Sequence, residues 1–228
     1  MMLQVTAIIP ARGGSKGVPD KNLQEVEGAS LVARSVRTAL AAKSVTRTVV
    51  SSDSDAILTE ARDHGAEALR RPSELSGDTA SSESALLHAV ETLGLHDDVL
   101  VFLQCTSPFV ASTTVDDAIG LVTSGAADTA FAATVFHGFL WNADGSAQGH
   151  DLAFRPRRQD LPQRWLEQGG FYVFRAADLL TSGTRFNGRI RPVEISPIEA
   201  LEIDTFEELE IARAVAASLA VAPATGNA

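Results

Sequence analysis

A single cysteine, Cys105, stands among 228 residues, so the chain has no intrachain disulfide framework and no cysteine-rich zinc site. That points to a reducing compartment. Basic residues are also short: 19 Lys and Arg against 29 Asp and Glu leave a net charge of −10. This balance excludes a protein whose affinity comes from neutralising a polyanion, and no nucleic-acid partner is expected. No apolar run approaches the roughly 20 residues that cross a bilayer. The stretch from Met1 to Thr6 has no charged region followed by an apolar core and a cleavage site. The expectation is a soluble, cytoplasmic protein with no membrane partner. The five histidines show no metal-ligand spacing, and Cys105 reads as a small buried residue with nothing nearby to activate a thiolate.

What the chain does have is 45% hydrophobic residues in a repeating order. Residues 5–10 are short, β-branched and ended by Pro10, which suits a buried strand. Residues 30–42 place Leu31, Val32, Val36, Ala39 and Leu40 at helical spacing with arginines opposite. A second strand over 46–52 follows, then a helix over 54–64 with Asp53 or Ser54 as its cap. A helix over 81–93 precedes a buried strand over 99–103. Strands alternating with helices predict an α/β fold, a Rossmann-like, mostly parallel sheet with helices on both faces. Between 136 and 165 the period is lost; regular patterning resumes at Gly169, and Asp204 or Thr205 caps a final helix. The organisation expected is one domain over 1–221, with an excursion at 136–165 and a flexible tail at 222–228.

The most informative segment follows the first strand: Ala11-Arg12-Gly13-Gly14-Ser15-Lys16-Gly17-Val18-Pro19-Asp20-Lys21-Asn22. Its three glycines permit close backbone approach and positive φ, successive N–H groups suit an anion nest, and Arg12, Lys16 and Lys21 add fixed cations. In a chain with ten excess negative charges this concentration points to a triphosphate. No Gly-Lys-Ser/Thr closes it as in a Walker A loop, and Gly-x-Gly-x-x-Gly is absent.

Ala11 to Asn22 resembles the N-terminal signature of the acylneuraminate cytidylyltransferases, which make CMP-sialic acid. The block Arg70-Arg71-Pro72-Ser73-Glu74-Leu75-Ser76-Gly77-Asp78-Thr79-Ala80-Ser81-Ser82 is similar to that family's next signature. Leu103-Gln104-Cys105-Thr106-Ser107-Pro108 resembles its Leu-Gln-x-Thr-Ser-Pro turn. The blocks fall in family order, and with Ile203-Asp204-Thr205 the likeness covers nearly the whole chain.

The resemblance implies attack by an acceptor oxygen on the α-phosphorus of CTP, with pyrophosphate leaving. Arg12, Lys21 and Asp204 would be the catalytic groups. Ala11, Gly13, Gly14, Ser15, Lys16 and Asn22 would bind the nucleotide's phosphate side, with Arg71, Ser82 and Gln104 completing the cytidine pocket. Ser82 equally reads as a cap or first-turn serine. Asp204 would hold Mg²⁺, since that ion needs few carboxylates beside substrate phosphates. Where the family usually shows Asp-x-Asp, this chain has Glu202-Ile203-Asp204, so Glu202 is a second candidate ligand, alternation placing both acids on one side. Asp204 also reads as a helix cap.

Kdo-activating relatives carry Gln-Gly-Asp-Glu-Pro where this chain has Gln104 to Pro108, which favours the sialate-type branch. The acceptor half departs from it. Gln168 replaces an asparagine, Leu140 and Trp141 occupy a region where a lysine commonly stands, and Leu166 replaces an arginine. Thr106, Ser107, His137, Arg158, Gln159, Gln168 and Tyr172 are the candidate acceptor-binding residues; His137 equally reads as a loop histidine. Arg155, Arg157 and Arg158 form either an anion site or a solvated or intersubunit basic face. The expected partners are CTP and an acidic acceptor: a sialic acid, another nonulosonic acid or, alternatively, a small phosphonate. A non-catalytic nucleotide-binding module is the rival class, and a UTP or GTP enzyme the rival substrate. The 136–165 excursion resembles the family's dimerisation segment, with Phe139, Leu140 and Trp141 as the apolar anchor of a homodimer.

Overall fold

In the computed structural model, residues 3–15, 17–77 and 79–221 are described, so Lys16, Asp78 and the tail 222–228 lie outside the described residues. Strand β1 (Val5–Pro10) leads through a loop and a 3₁₀ turn (Lys21–Leu23) to the short pair β2 (Glu25–Val26) and β3 (Ala29–Ser30), then helix α1 (Leu31–Ala41). Next come β4 (Arg47–Ser52), α2 (Asp55–Asp63), β5 (Glu67–Arg70), a 3₁₀ turn (Ser73–Leu75) and α3 (Ser82–Leu93). β6 (Val99–Leu103), α4 (Ser112–Thr123) and β7 (Thr129–Phe136) follow. Beyond them lie a small hairpin of β8 (Leu140–Trp141) and β9 (Ala147–Gln148), and a 3₁₀ turn (Arg158–Asp160). The chain continues with β10 (Arg164–Arg175), α5 (Ala176–Ser182), β11 (Ile190–Glu194) and α6 (Phe206–Val221).

Seven strands form the main sheet in the order β11-β7-β10-β6-β1-β4-β5. Its two faces follow from period-two alternation. Ala7 and Ile9 of β1 and Val101 and Leu103 of β6 pack into one layer, whereas Ile8, Leu100 and Phe102 pack into the other. Strands buried on both sides therefore read as continuous apolar runs. The first layer takes apolar residues of α1, α4 and α6, and the second those of α3 and α5.

The chain leaves β1 for β4 and β5 on one side and returns to β6 on the other, both β4 and β6 pairing with β1 in parallel. Loops after β1 and β6 thus diverge from a topological switch point, where open α/β sheets bind ligands. The mostly parallel sheet expected from the sequence is present, with one strand reversed and one boundary moved. β10 runs antiparallel to both β6 and β7, and it begins at Arg164 rather than near Gly169. Its pairing with β7 passes from Glu167↔Ala133 to Tyr172↔Phe131, so four residues of β10, 168–171, stand opposite Ala132 alone, an excess of three that forms a bulge. Being antiparallel, β10 brings this bulge to the carboxyl end of β6, where Phe171 faces Leu103.

Helix starts also answer open questions. Ser81 Oγ accepts from Ser84 N–H at 3.1 Å, so Ser81 is the cap and Ser82 begins the first turn of α3. Ser54 precedes α2 without a side-chain cap bond. Before α6, Thr205 Oγ1 accepts from Glu208 N–H at 3.2 Å, while Glu208 Oε2 accepts from the N–H groups of Thr205 and Asp204 at 2.9 and 2.7 Å. This reciprocal capping box holds the Glu208 carboxyl below its usual pKa through those backbone bonds. It makes Thr205 the cap and leaves the Asp204 side chain for another partner.

Candidate active site

A cavity of about 440 Å³ opens at the switch point. The loop after β1 lines it with Arg12, Ser15, Gly17, Lys21 and Asn22, and the turn after β6 with Gln104, Cys105 and Thr106. The segment before α3 contributes Arg71, Ser76 and Ser82, the floor carries Phe102, and Asp204 closes one side. Nine of the candidate residues named from the sequence therefore meet in one cleft. Lys16 lies outside the described residues.

The loop after β1 is held by specific bonds, and these revise the expected anion nest. Ala11 N–H donates to Ser51 O at 2.9 Å and Gly13 N–H to Asp53 Oδ1 at 2.9 Å, so those two donors are already used. Asn22 is buried and donates through Nδ2 to Arg12 O at 2.9 Å, fixing the loop's width. Gly13, Gly14 and Gly17 do not take up positive φ; Asp20 does, at 48°, at the entry to the 3₁₀ turn. Gly17 is needed instead for close approach, because a Cβ there would fall on the carbonyl oxygen of Asp204. Lys21 Nζ pairs with Asp204 Oδ1 at 2.8 Å; the lysine side chain is 15% exposed and the aspartate 68%.

Arg71 is 5% exposed, its Nε donating to Ser76 Oγ at 3.0 Å. Burial lowers its guanidinium pKa, neighbouring Asp53 offsets this, and Arg12 adds to it. Asp53, read from the sequence only as a cap, thus joins the phosphate-side loop to the Arg71 side of the cleft, and Arg70 Nη1 donates to its carbonyl at 2.6 Å. Burial pushes the Cys105 thiol up to about 12, which leaves it neutral and unsuited to nucleophilic attack.

Glu202 and Asp204 separate in role. Glu202 is absent from the cavity lining, and its Oε1 accepts from Gly169 N–H at 2.5 Å within the β10 bulge. A Cβ on Gly169 would meet that oxygen at 2.9 Å and Gln104 Nε2 at 3.1 Å, so glycine is the residue that lets Glu202 and Gln104 approach. Between the two acids, Ile203 N–H donates to Thr106 O at 2.8 Å.

The other acceptor candidates are turned inward or set apart from the cavity. Ser107 is buried against Gly170, and Gln168 Nε2 donates to Thr134 Oγ1 at 3.3 Å. Tyr172 hydroxyl donates to Glu167 Oε1 at 2.7 Å; burial, then that bond, raises its pKa. His137, Arg158 and Gln159 belong to the excursion and do not line the cavity. Sequence reasoning missed one cluster. Arg185 lies over the rings of Phe102 and Tyr172, 4.8 and 4.6 Å from their centroids, and pairs with Glu83 at 2.7 Å. It stands in a loop without a motif, and nothing in the sequence joins residue 185 to 83 and 102.

A family model described as cytidylyltransferase matches residues 6–211. N-acylneuraminate cytidylyltransferase A of Danio rerio is 31% identical over 207 residues, covering 88% of this chain and 48% of that protein. Pseudaminic acid cytidylyltransferase of Campylobacter jejuni is 30% identical over 216 residues, covering 90% of this chain and 93% of that protein. The chain spans about half the length of the Danio rerio relatives it matches. Among solved structures, CMP:2-keto-3-deoxy-manno-octonic acid synthetase complexed with CTP superposes with TM-score 0.71 at 19% identity, covering 95% of this chain and 99% of that one. A 4-diphosphocytidyl-2C-methyl-D-erythritol synthase gives TM-score 0.68 at 16% identity over 94% and 99%. These two likenesses establish the fold.

Gly17→Ala should push the Asp204 backbone away and loosen its pair with Lys21. Overpacking of this kind costs about 1–3 kcal/mol, so the melting temperature should fall by about 2–12 °C with little change in secondary structure at 25 °C. An unchanged melting temperature would contradict the close approach.

Proposed function

Because the chain belongs to the cytidylyltransferase family, we propose that it transfers CMP from CTP to an acidic acceptor of the nonulosonic-acid type, with release of pyrophosphate. The observation that carries this reading is the convergence of Arg12, Lys21, Asn22, Arg71, Ser82, Gln104 and Asp204 on one cavity at the switch point. The oxygen of the acceptor hydroxyl attacks the α-phosphorus and gives up its proton to solvent, the bond from the α-phosphorus to the oxygen bridging to the β-phosphate breaks, and pyrophosphate leaves. Such a reaction needs charge neutralisation and alignment more than covalent help. Arg12 offers a fork to phosphate oxygens and Lys21 a point charge already oriented by Asp204. Arg71, Ser82 and Gln104 supply donors and an amide acceptor for the base and ribose, and the buried Arg71, short of water, seeks an anionic or polar partner.

The donor set fits Mg²⁺. Asp204 presents a mostly exposed carboxylate to the cavity, and no cluster of three or more His, Cys, Asp or Glu suited to a metal occurs among the described residues. A hard cation taking one carboxylate and otherwise phosphate and water oxygens suits that sparseness. Asp204 would hold the ion, whereas Glu202 has one oxygen committed to Gly169. When bound, the ion would neutralise charge on the phosphate oxygens. The single cysteine supports a reducing, cytoplasmic setting.

We further propose a homodimer built through the excursion. Trp141 is 49% exposed and Phe154 66%, with Leu140, Leu152 and Leu166 also open, and a second copy's surface would cover them. Arg158 and Gln159 would then approach the acceptor of the partner protomer.

Pyrophosphate should appear with CTP, Mg²⁺ and an acid acceptor, be abolished by chelation and be much weaker with UTP. Lys21→Ala should lower kcat by about a hundredfold, the scale of one electrostatic donor. CTP binding without turnover on any acid would instead indicate a binding module. Light scattering should give a dimer, and replacing Leu140 and Trp141 by serine should give monomers; a monomeric wild type with full activity would remove the shared site.

A further inference from the structure

We infer that Arg185 is a specificity-determining ligand for the acceptor's carboxylate, occupied by Glu83 until the acceptor arrives; this rests on the transferase reading above and names the group that makes an acid the preferred acceptor. Three observations carry it. The first is placement. Phe102 forms part of the cavity floor and Ser82 part of its wall, while Glu83 follows Ser82 directly in α3. Tyr172 lies beside Phe102 with ring centroids 5.6 Å apart and planes 18° apart, and the Arg185 guanidinium covers both rings. An acceptor in the cavity beside Phe102 and Ser82 is therefore next to that cation, which stands behind the lining with Glu83.

The second is charge. Around these two rings the structure sets three carboxylates: Glu83, Glu167, bonded to Tyr172, and Glu202, bonded to Gly169. An acid entering there is repelled unless a cation receives it. Arg12 and Lys21 lie with the loop after β1 and Arg71 is turned to Ser76, so among the cations around this cleft Arg185 is the one beside these rings, with Arg158 set apart in the excursion.

The third is preorganisation. Thr129 is fully buried, and its Oγ1 donates to the carbonyls of Arg185 and Asn187 at 3.1 Å while accepting from Asn187 N–H at 3.0 Å. Phe186 packs edge-on against Phe131 and Tyr172. The backbone of this loop is thus fixed, and the guanidinium rests on aromatic faces rather than in water, with side-chain exposures of 14% for Arg185 and 23% for Glu83. An acceptor carboxylate can share the guanidinium with Glu83, whose charge then stays paired. Glu83 lies in the first turn of α3, where the helix N-terminus stabilises a negative charge after the arginine is shared.

The test measures pyrophosphate release with CTP and N-acetylneuraminate, pseudaminic acid or 2-keto-3-deoxy-manno-octonic acid, each beside its C1 methyl ester. Wild type should prefer acid over ester, and Arg185→Met should raise the KM of the best acid roughly tenfold or more while the CTP KM stays within about twofold. The preference for acid over ester should shrink by the same factor, and Arg185→Lys should retain part of it. Glu83→Gln breaks the same ion pair but should leave the acid KM unchanged or lower it. Equal losses in Arg185→Met and Glu83→Gln would show a purely structural pair and overturn the inference. Equal use of acid and ester by wild type would overturn it without any variant. Absence of pyrophosphate from wild type with every acid would instead overturn the transferase reading, and this inference with it.

Discussion

Glu202, Ile203 and Asp204 form no helix or strand, yet each reaches a different loop of the cleft. Asp204 pairs with Lys21 and backs onto Gly17 in the loop after β1; Ile203 N–H holds Thr106 in the turn after β6; Glu202 takes Gly169 N–H from the β10 bulge. Each bond closes a long chain loop, and a net bond contributes only about 0.5–1.5 kcal/mol. Together with the buried Ile203 side chain and the capping box before α6, they fix the relative positions of the loop after β1, Gln104 and the β10 bulge.

That arrangement depends on the sheet's topology. Parallel β1 and β6 diverge at their carboxyl ends and leave room between their loops. A parallel neighbour at the position of β10 would bring its far end to the cleft. Running antiparallel, β10 instead presents residues 168–172 there, and the bulge frees Gly169 N–H from the ladder for Glu202. The sheet's geometry and the site's geometry are the same constraint seen at two scales.

The residues that line the cleft were legible in the sequence because they lie in contiguous blocks: Arg12 with Lys21 and Asn22, Arg71 with Ser82, Gln104 with Thr106. The reasons were less legible than the residues. Gly17 signalled a loop by its type, yet the structure requires it for contact with a residue 187 positions away, and the positive φ belongs to Asp20. Asp53 reads locally as a cap, because nothing local announces its bond to Gly13. Glu202 and Asp204 looked equivalent by alternation, and only Gly169 and Lys21 tell them apart. The acceptor half was the hardest. The reversal of β10 follows from its pairing partners rather than its own pattern, and Arg185 meets Glu83 and Phe102 purely through tertiary structure.

Electrostatics divides the cleft in the same way. An acidic chain keeps Arg12, Lys21 and Arg71 where a triphosphate would lie, and surrounds the adjoining rings with carboxylates relieved by one arginine. Both halves stay in register only if the segment through Ile203 stays closed. Hydrogen exchange of the Ile203 and Gly169 amides, followed by NMR in the nucleotide-free protein, tests this most directly. The account predicts protection of both close to that of the β6 core amides, despite their lying outside helix and regular ladder. Exchange at the rate of an open loop would contradict it.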